Sequence, residues 1–196
     1  TCLLMDKIFT KNIEHESAIK HVTGRAIYTD DIPEPRNLLH AVIGYSNCSR
    51  GIIKKINYDE VYKSEGVIDI ITEKDIEGIN DVGAIFKGDK IFTSKDIEYF
   101  GQPIFAVIAR SNLLAKKAAL KVKIDVKEIK PILTIEEALR KKSYVLEPRQ
   151  IARGNVKKGF KDSDIVLKGK LQTGGQDHFY LEGQISMTIP QEDNNF

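Results

Sequence analysis

The densest cluster of chemically capable side chains runs Gly174-Gly175-Gln176-Asp177-His178-Phe179-Tyr180-Leu181-Glu182-Gly183-Gln184. Two adjacent glycines let a backbone approach a ligand where a Cβ would clash. The amide of Gln176, directly after them, offers both a donor and an acceptor to a polar cofactor group. Gln176, Gly174 and Gly175 are therefore the candidate cofactor-contacting residues. A β-turn with positive φ would also account for the glycines, and a backbone-bonded loop amide for the glutamine.

Other chemistries find less support. His178 invites a metal-ligand or general-base reading, but no second histidine or thiolate sits at ligand spacing. A lone histidine needs a constellation to become a site, so His178 is expected to pack between aromatics. Glu182 is assigned a structural role. Asp30 and Asp31 are neighbours that point in different directions, a poor acid/base pair, and read as turn residues. Gly154-x4-Gly159 is followed by Phe160-Lys161 instead of Lys-Ser/Thr, Gly78-x4-Gly83 fails the same test, and no Gly-x-Gly-x-x-Gly follows a strand, which excludes the phosphate-loop and dinucleotide fingerprints. No catalytic residue and no protein metal ligand is assigned.

The elements that must position the cluster follow from periodicity. The cluster itself lies between two alternating runs, Ile165 to Gln172 and Phe179 to Ile189, which predict strands. Upstream, Leu39 to Tyr45, Gly51 to Tyr58, Val67 to Ile71 and Lys121 to Ile129 carry strand patterns. Ile104-Phe105-Ala106-Val107-Ile108-Ala109, after Tyr99-Phe100-Gly101-Gln102-Pro103, is apolar throughout, as a central strand covered on both faces should be. Asp59 is placed as the cap of a short helix ending at Gly66, and Thr72 with Asp75 as a cap. Ser111 or Asn112 caps a helix over Leu113 to Leu120, and Thr134-Ile135-Glu136-Glu137 is a capping box opening a helix through Lys141. The glycine-bearing stretch 77–90 reads as a loop, and 142–162 as a polar connection. Short helices among strands joined by hairpin-length turns predict an α+β fold with a mixed sheet.

Composition bounds the class. The chain has 196 residues, 41% hydrophobic and 30% charged, with Lys+Arg 30 against Asp+Glu 28 for a net charge of +2. These values suit a globular protein and lack the one-sided basic excess of a nucleic-acid binder. The lysines at 116, 117, 121, 123, 127 and 130 alternate with Val122, Ile124 and Val126, the pattern of a solvated strand face. Cys2 and Cys48 are the only cysteines, so no disulfide framework is expected and the compartment should be reducing, hence cytoplasmic. No apolar run approaches the ~20 residues of a membrane span. The segment Thr1 to Phe9 lacks a signal-peptide pattern, and the absence of an initiating Met suggests an excised chain.

The cluster resembles the GGQ-[ED]-HFYLE segment of the molybdenum-binding (molybdopterin) subunit of the xanthine dehydrogenase and aldehyde oxidase family, whose glutamine hydrogen-bonds the metal centre. The resemblance extends in order along the chain. His15-Glu16-Ser17-Ala18 and His21-Val22-Thr23-Gly24 through Asp31-Ile32-Pro33 look like the opening of that subunit's α/β-hammerhead domain. Phe100-Gly101-Gln102-Pro103-Ile104 looks like its GQP strand, and Gly154-Asn155-Val156 with Phe160 and Asp164-Ile165-Val166 like the connector that follows. Together these cover roughly residues 15–185.

The resemblance implies a lead-in over 1–14, a hammerhead domain over 15–141, a connector over 142–162 and, over 163–196, the truncated first strands of a molybdopterin-binding domain. It implies a fragment of a molybdenum hydroxylase, closest to xanthine dehydrogenase, which hydroxylates hypoxanthine or xanthine with water-derived oxygen and passes electrons to iron–sulfur clusters and FAD on partner domains or subunits. The pterin's sulfurs hold the metal in that family, and its catalytic glutamate lies beyond Phe196. The chain alone is thus expected to be inactive and to bind no cofactor. Its expected partners are the rest of the molybdenum subunit, the iron–sulfur and FAD parts and a purine or aldehyde substrate. Self-association through exposed strand edges is a further expectation, and neither nucleic acid nor a membrane is one. An aldehyde or N-heterocycle hydroxylase is the alternative within the family, and a non-catalytic hammerhead scaffold the alternative outside it.

Overall fold

The computed structural model describes residues 15–194, so the lead-in expected over 1–14, with Cys2, lies outside the described residues. The chain divides into two units, one of residues 36–166 and one that joins the segments on either side of it.

In the second unit, residues 15–35 carry a short helix α1 (Ala18–Val22), which composition had concealed beneath turn signals. The Thr23 hydroxyl ends it by donating to the Ile19 carbonyl at 2.6 Å. A 3-10 turn over Thr29–Asp31 follows, its start tied by the Tyr28 N–H donating to Asp31 Oδ2 at 3.0 Å. The acidic pair is thus a turn device, as its adjacency suggests. From 167 to 191 the chain carries no helix and no ladder, and a 3-10 turn over Glu192–Asn194 follows. The strands expected over Ile165–Gln172 and Phe179–Ile189 do not form. Alternation makes a segment competent for a sheet, but a strand exists only when a neighbour accepts its backbone hydrogen bonds.

The other unit holds the core. It carries β1 (His40–Tyr45), β2 (Gly51–Asn57), α2 (Asp59–Tyr62), β3 (Val67–Ile71), β4 (Asp96–Ile97), β5 (Pro103–Ala109), α3 (Asn112–Ala119), β6 (Lys123–Glu128), α4 (Ile135–Lys141) and α5 (Val156–Asp162). These form two three-stranded sheets, ordered β1-β5-β3 and β4-β2-β6. The α+β class holds, but every ladder among the described residues is antiparallel, so the sheets are not mixed. The paired strands are far apart in the chain, so hairpin-length turns do not account for the pairing.

β5 is the central strand its apolar run requires: Ile104, Phe105, Val107 and Ala109 are all but fully buried. Ala115 and Ala118 of α3 are also fully buried, and α3 packs on β1 and β5. Small residues on the inner helix face allow that close approach. Ser111 caps α3 by accepting from the Leu114 N–H at 3.3 Å. Thr134 caps α4 through the Glu137 N–H at 3.2 Å, while the Glu137 carboxylate pairs with Lys141 at 2.8 Å. Two details differ from expectation. Asp59 is the first residue of α2, and Asn57 Oδ1 accepts its N–H at 2.8 Å. The stretch 142–162 contains α5, capped by Asn155 Oδ1 accepting from the Lys158 N–H at 2.9 Å.

A buried polar knot fixes the end of β1 to the start of β5. The Gln102 N–H donates to Ser46 Oγ at 3.0 Å, and that hydroxyl donates to the Tyr99 carbonyl at 2.9 Å. Gln102 Oε1 accepts from the Glu98 N–H at 2.8 Å. Gly101, at φ 82°, makes the turn that lets Gln102 reach inward. The Gly-Gln-Pro motif therefore works as a backbone brace.

Candidate functional site

Gly174, Gly175 and Gln176 lie in the extended stretch of the unit that joins 15–35 to 167–194, and all three are exposed. Neither glycine has positive φ, which removes the β-turn explanation. A Cβ built on either would meet nothing within 4 Å. Nothing within the described chain therefore demands glycine at these two positions. Gln176 makes no hydrogen bond among the described residues, so the backbone-bonded loop amide is removed as well.

The flanking residues behave as structural parts. Glu182 Oε1 accepts the Thr29 N–H at 3.3 Å, joining the segment after the glycines to the 3-10 turn. That long-range bond was not visible in the sequence; only the free N–H groups of a turn beside an unassigned carboxylate hint at it. The His178 ring lies against Tyr180, with centroids 5.7 Å apart and planes tilted by 33°. His178 thus meets one aromatic ring and is exposed, with Phe179 fully exposed beside it, so it is not packed between aromatics. In the 15–35 segment His21 Nδ1 and the Tyr28 hydroxyl are hydrogen-bonded to each other at 3.1 Å.

These residues suit one kind of contact. A neutral amide beside two unencumbered glycines can donate to, or accept from, a polar oxygen at close backbone range. Among the described residues no three His, Cys, Asp or Glu side chains converge as a metal-ligand set. The stretch fits a molybdopterin as one contact, and does not by itself enclose a group of that size.

Comparison with known proteins places this geometry in context. Residues 23–130 match the family model described as aldehyde oxidase and xanthine dehydrogenase, a/b hammerhead domain. Residues 137–196 match the molybdopterin cofactor-binding domain, a span that contains Gly174, Gly175 and Gln176. The chain is 38% identical over 181 residues to aldehyde oxidase 1 of Bos taurus, covering 91% of this chain and 14% of the relative. It is 35% identical over 188 residues to xanthine dehydrogenase/oxidase of Gallus gallus, covering 96% of this chain and 14% of the relative. The chain thus spans about 14% of the length of these curated relatives. Among solved structures, the aldehyde oxidoreductase from Desulfovibrio desulfuricans superposes with TM-score 0.61 at 28% identity, over 69% of this chain and 16% of that one.

Proposed function

Because the chain belongs to the aldehyde oxidase and xanthine dehydrogenase family, we propose that it is part of a molybdenum hydroxylase acting on an electron-poor carbon, with a purine as substrate. The observation that carries this reading is the ordered pair of matches, hammerhead over 23–130 and molybdopterin-binding domain over 137–196. Molybdopterin-bound molybdenum, when present, supplies the two-electron redox chemistry. The contribution of this chain is positional. The Gln176 amide donates to a polar oxygen of the cofactor, and Gly174 and Gly175 allow the backbone to come near it. The remainder of the molybdenum subunit, together with iron–sulfur and FAD domains or subunits, completes the enzyme in the cytoplasm.

A second reading has its own support: identity to bovine aldehyde oxidase 1 is as high as identity to chicken xanthine dehydrogenase/oxidase. In it, an aldehyde replaces the purine and the role of Gln176 is unchanged. Steady-state kinetics of the complete enzyme on xanthine and on an aromatic aldehyde separates the two. Gln176→Ala in that enzyme should lower turnover about ten- to a hundred-fold, the usual cost of losing a group that orients a metal site. Wild-type turnover by the variant would remove Gln176 from the site. Preference for the aldehyde would leave Gln176 in place and replace the purine.

A further inference from the structure

An open groove of about 1120 Å³ lies between the two sheets of the unit 36–166. Residues 42–45 of β1, and Val122 with residues 123–125 of β6, line it in unbroken runs beside Phe105 and Ala119. Successive side chains of a strand point to opposite faces, so four in a row reach one groove only where the strand presents its edge. Within the described residues β1 pairs only with β5, and β6 only with β2. Over Val42–Tyr45 and Lys123–Asp125 each strand therefore turns into the groove an edge that no ladder among the described residues uses.

The two edges are not equivalent. β6 carries Lys123, Asp125, Lys127 and Glu128, the charged side chains that normally protect an edge from pairing. β1, His40–Tyr45, carries no Asp, Glu, Lys or Arg and exposes Ile43 and Tyr45. Across from it, Lys55, Lys116 and Lys123 line the groove against a single acid, Asp125. Small-molecule pockets span about 300–1,000 Å³ and enclose their ligand. This groove is larger and open along a strand, which suits a length of polypeptide.

We propose that the groove binds an acidic, extended polypeptide segment with alternating apolar side chains, which adds as a strand to the free edge of β1. Its main chain would pair with the edge of Val42–Tyr45, its apolar side chains would cover Ile43 and Tyr45, and its carboxylates would face the three lysines. Main-chain pairing gives such a complex its affinity, and the alternate side chains its selectivity.

The probe is a capped ten-residue peptide alternating Glu and Val, titrated into the whole chain and followed by backbone amide shifts and fluorescence anisotropy. Shifts should concentrate on 40–45 and 122–125. A Lys–Val peptide of the same length should bind roughly tenfold more weakly or worse. N-methylation of alternate peptide bonds on the pairing side should abolish binding, because it removes the edge hydrogen bonds. A Lys116→Glu/Lys123→Glu variant should reverse the preference between the peptides; both positions are exposed, so its unfolding midpoint should be unchanged. Equal affinity for the acidic and basic peptides, or undiminished binding after N-methylation, would overturn the proposal. So would the absence of binding at millimolar peptide, or shifts on 40–45 that follow protein concentration alone, which would mark a second copy as the occupant.

Discussion

Gly44 and Phe105 stand opposite each other in the β1–β5 ladder, and the phenyl ring lies over the glycine. A Cβ on Gly44 would fall inside the ring's contact shell, far closer than the 3.0 Å that real Cβ atoms keep. Phe105 is 0% exposed and meets the Tyr58 ring edge-on, with centroids 5.3 Å apart and planes at 73°. Gly44→Ala should therefore overpack the core at a cost of about 1–3 kcal/mol, offset by about 0.5–1 kcal/mol from removing a flexible glycine from a strand. The expected net loss is about 1–2 kcal/mol. With a urea m-value of about 1–3 kcal/mol/M, the midpoint should fall by roughly 0.5–1 M at unchanged m. Gly78→Ala is the control, since a Cβ there meets nothing within 4 Å; it should be neutral or stabilise by up to about 1 kcal/mol. In a Phe105→Leu background the Gly44→Ala cost should shrink by more than about 0.5 kcal/mol, the signature of two residues in contact. If Gly44→Ala unfolds like Gly78→Ala, or the double-mutant cycle shows no coupling, the reasoning about this ring is wrong.

Three further outcomes are expected. Ser46→Ala should destabilise by about 1–3 kcal/mol in urea unfolding, because it leaves the buried Gln102 N–H without its acceptor. Burial, with Tyr62 and Asp75 adding to it, pushes the Tyr58 hydroxyl up from 10.0 to about 12; its folded value lies above its unfolded one, so its contribution is complete below about pH 10 and is lost towards pH 12. Tyr58→Phe should flatten that alkaline decline by about 1 kcal/mol, after discounting for a half-buried group, in a pH series of unfolding midpoints. The Asp81 carboxylate accepts N–H bonds from Gly83 at 2.8 Å and Gly88 at 2.7 Å, which hold its carboxyl below the ordinary carboxylate range. The loop closure this provides is complete above the ordinary range and is lost as pH falls below it, through the lowered folded value. At neutral pH, Asp81→Ala should speed amide exchange at Gly83 and Gly88 several-fold, and unchanged exchange would show that the carboxylate does not close the loop.

Some of these features were open to reading before any fold was known. The apolar run Ile104–Ala109 announced a strand buried on both faces, and Ser111 and Thr134 announced helix starts that their hydroxyls do cap. Capping and periodicity can be read because they act over a few residues of one chain segment. The ordered likeness from His15 to Glu182 pointed to the family for the same reason: each matched segment keeps its local chemistry. By contrast, α1 and α5 were hidden, since each is short and exposed, and α5 is interrupted by Gly159.

The sequence by itself determined the family, the α+β class, the main strands and helices of the core, and which side chains near Gln176 are able to contact a polar cofactor. Tertiary structure alone decided how those strands pair. Antiparallel ladders in two sheets, the Gly44–Phe105 contact, the Glu182–Thr29 bond and the edge-lined groove all join residues far apart in the chain. It also decided that Ile165–Gln172 and Phe179–Ile189, with strand-like alternation, remain outside any ladder within the described residues. The physical reason is common to all of them. A side-chain pattern states which face of a segment seeks cover, but a backbone hydrogen bond or a packed ring requires a partner, and the partner's position is a property of the folded chain.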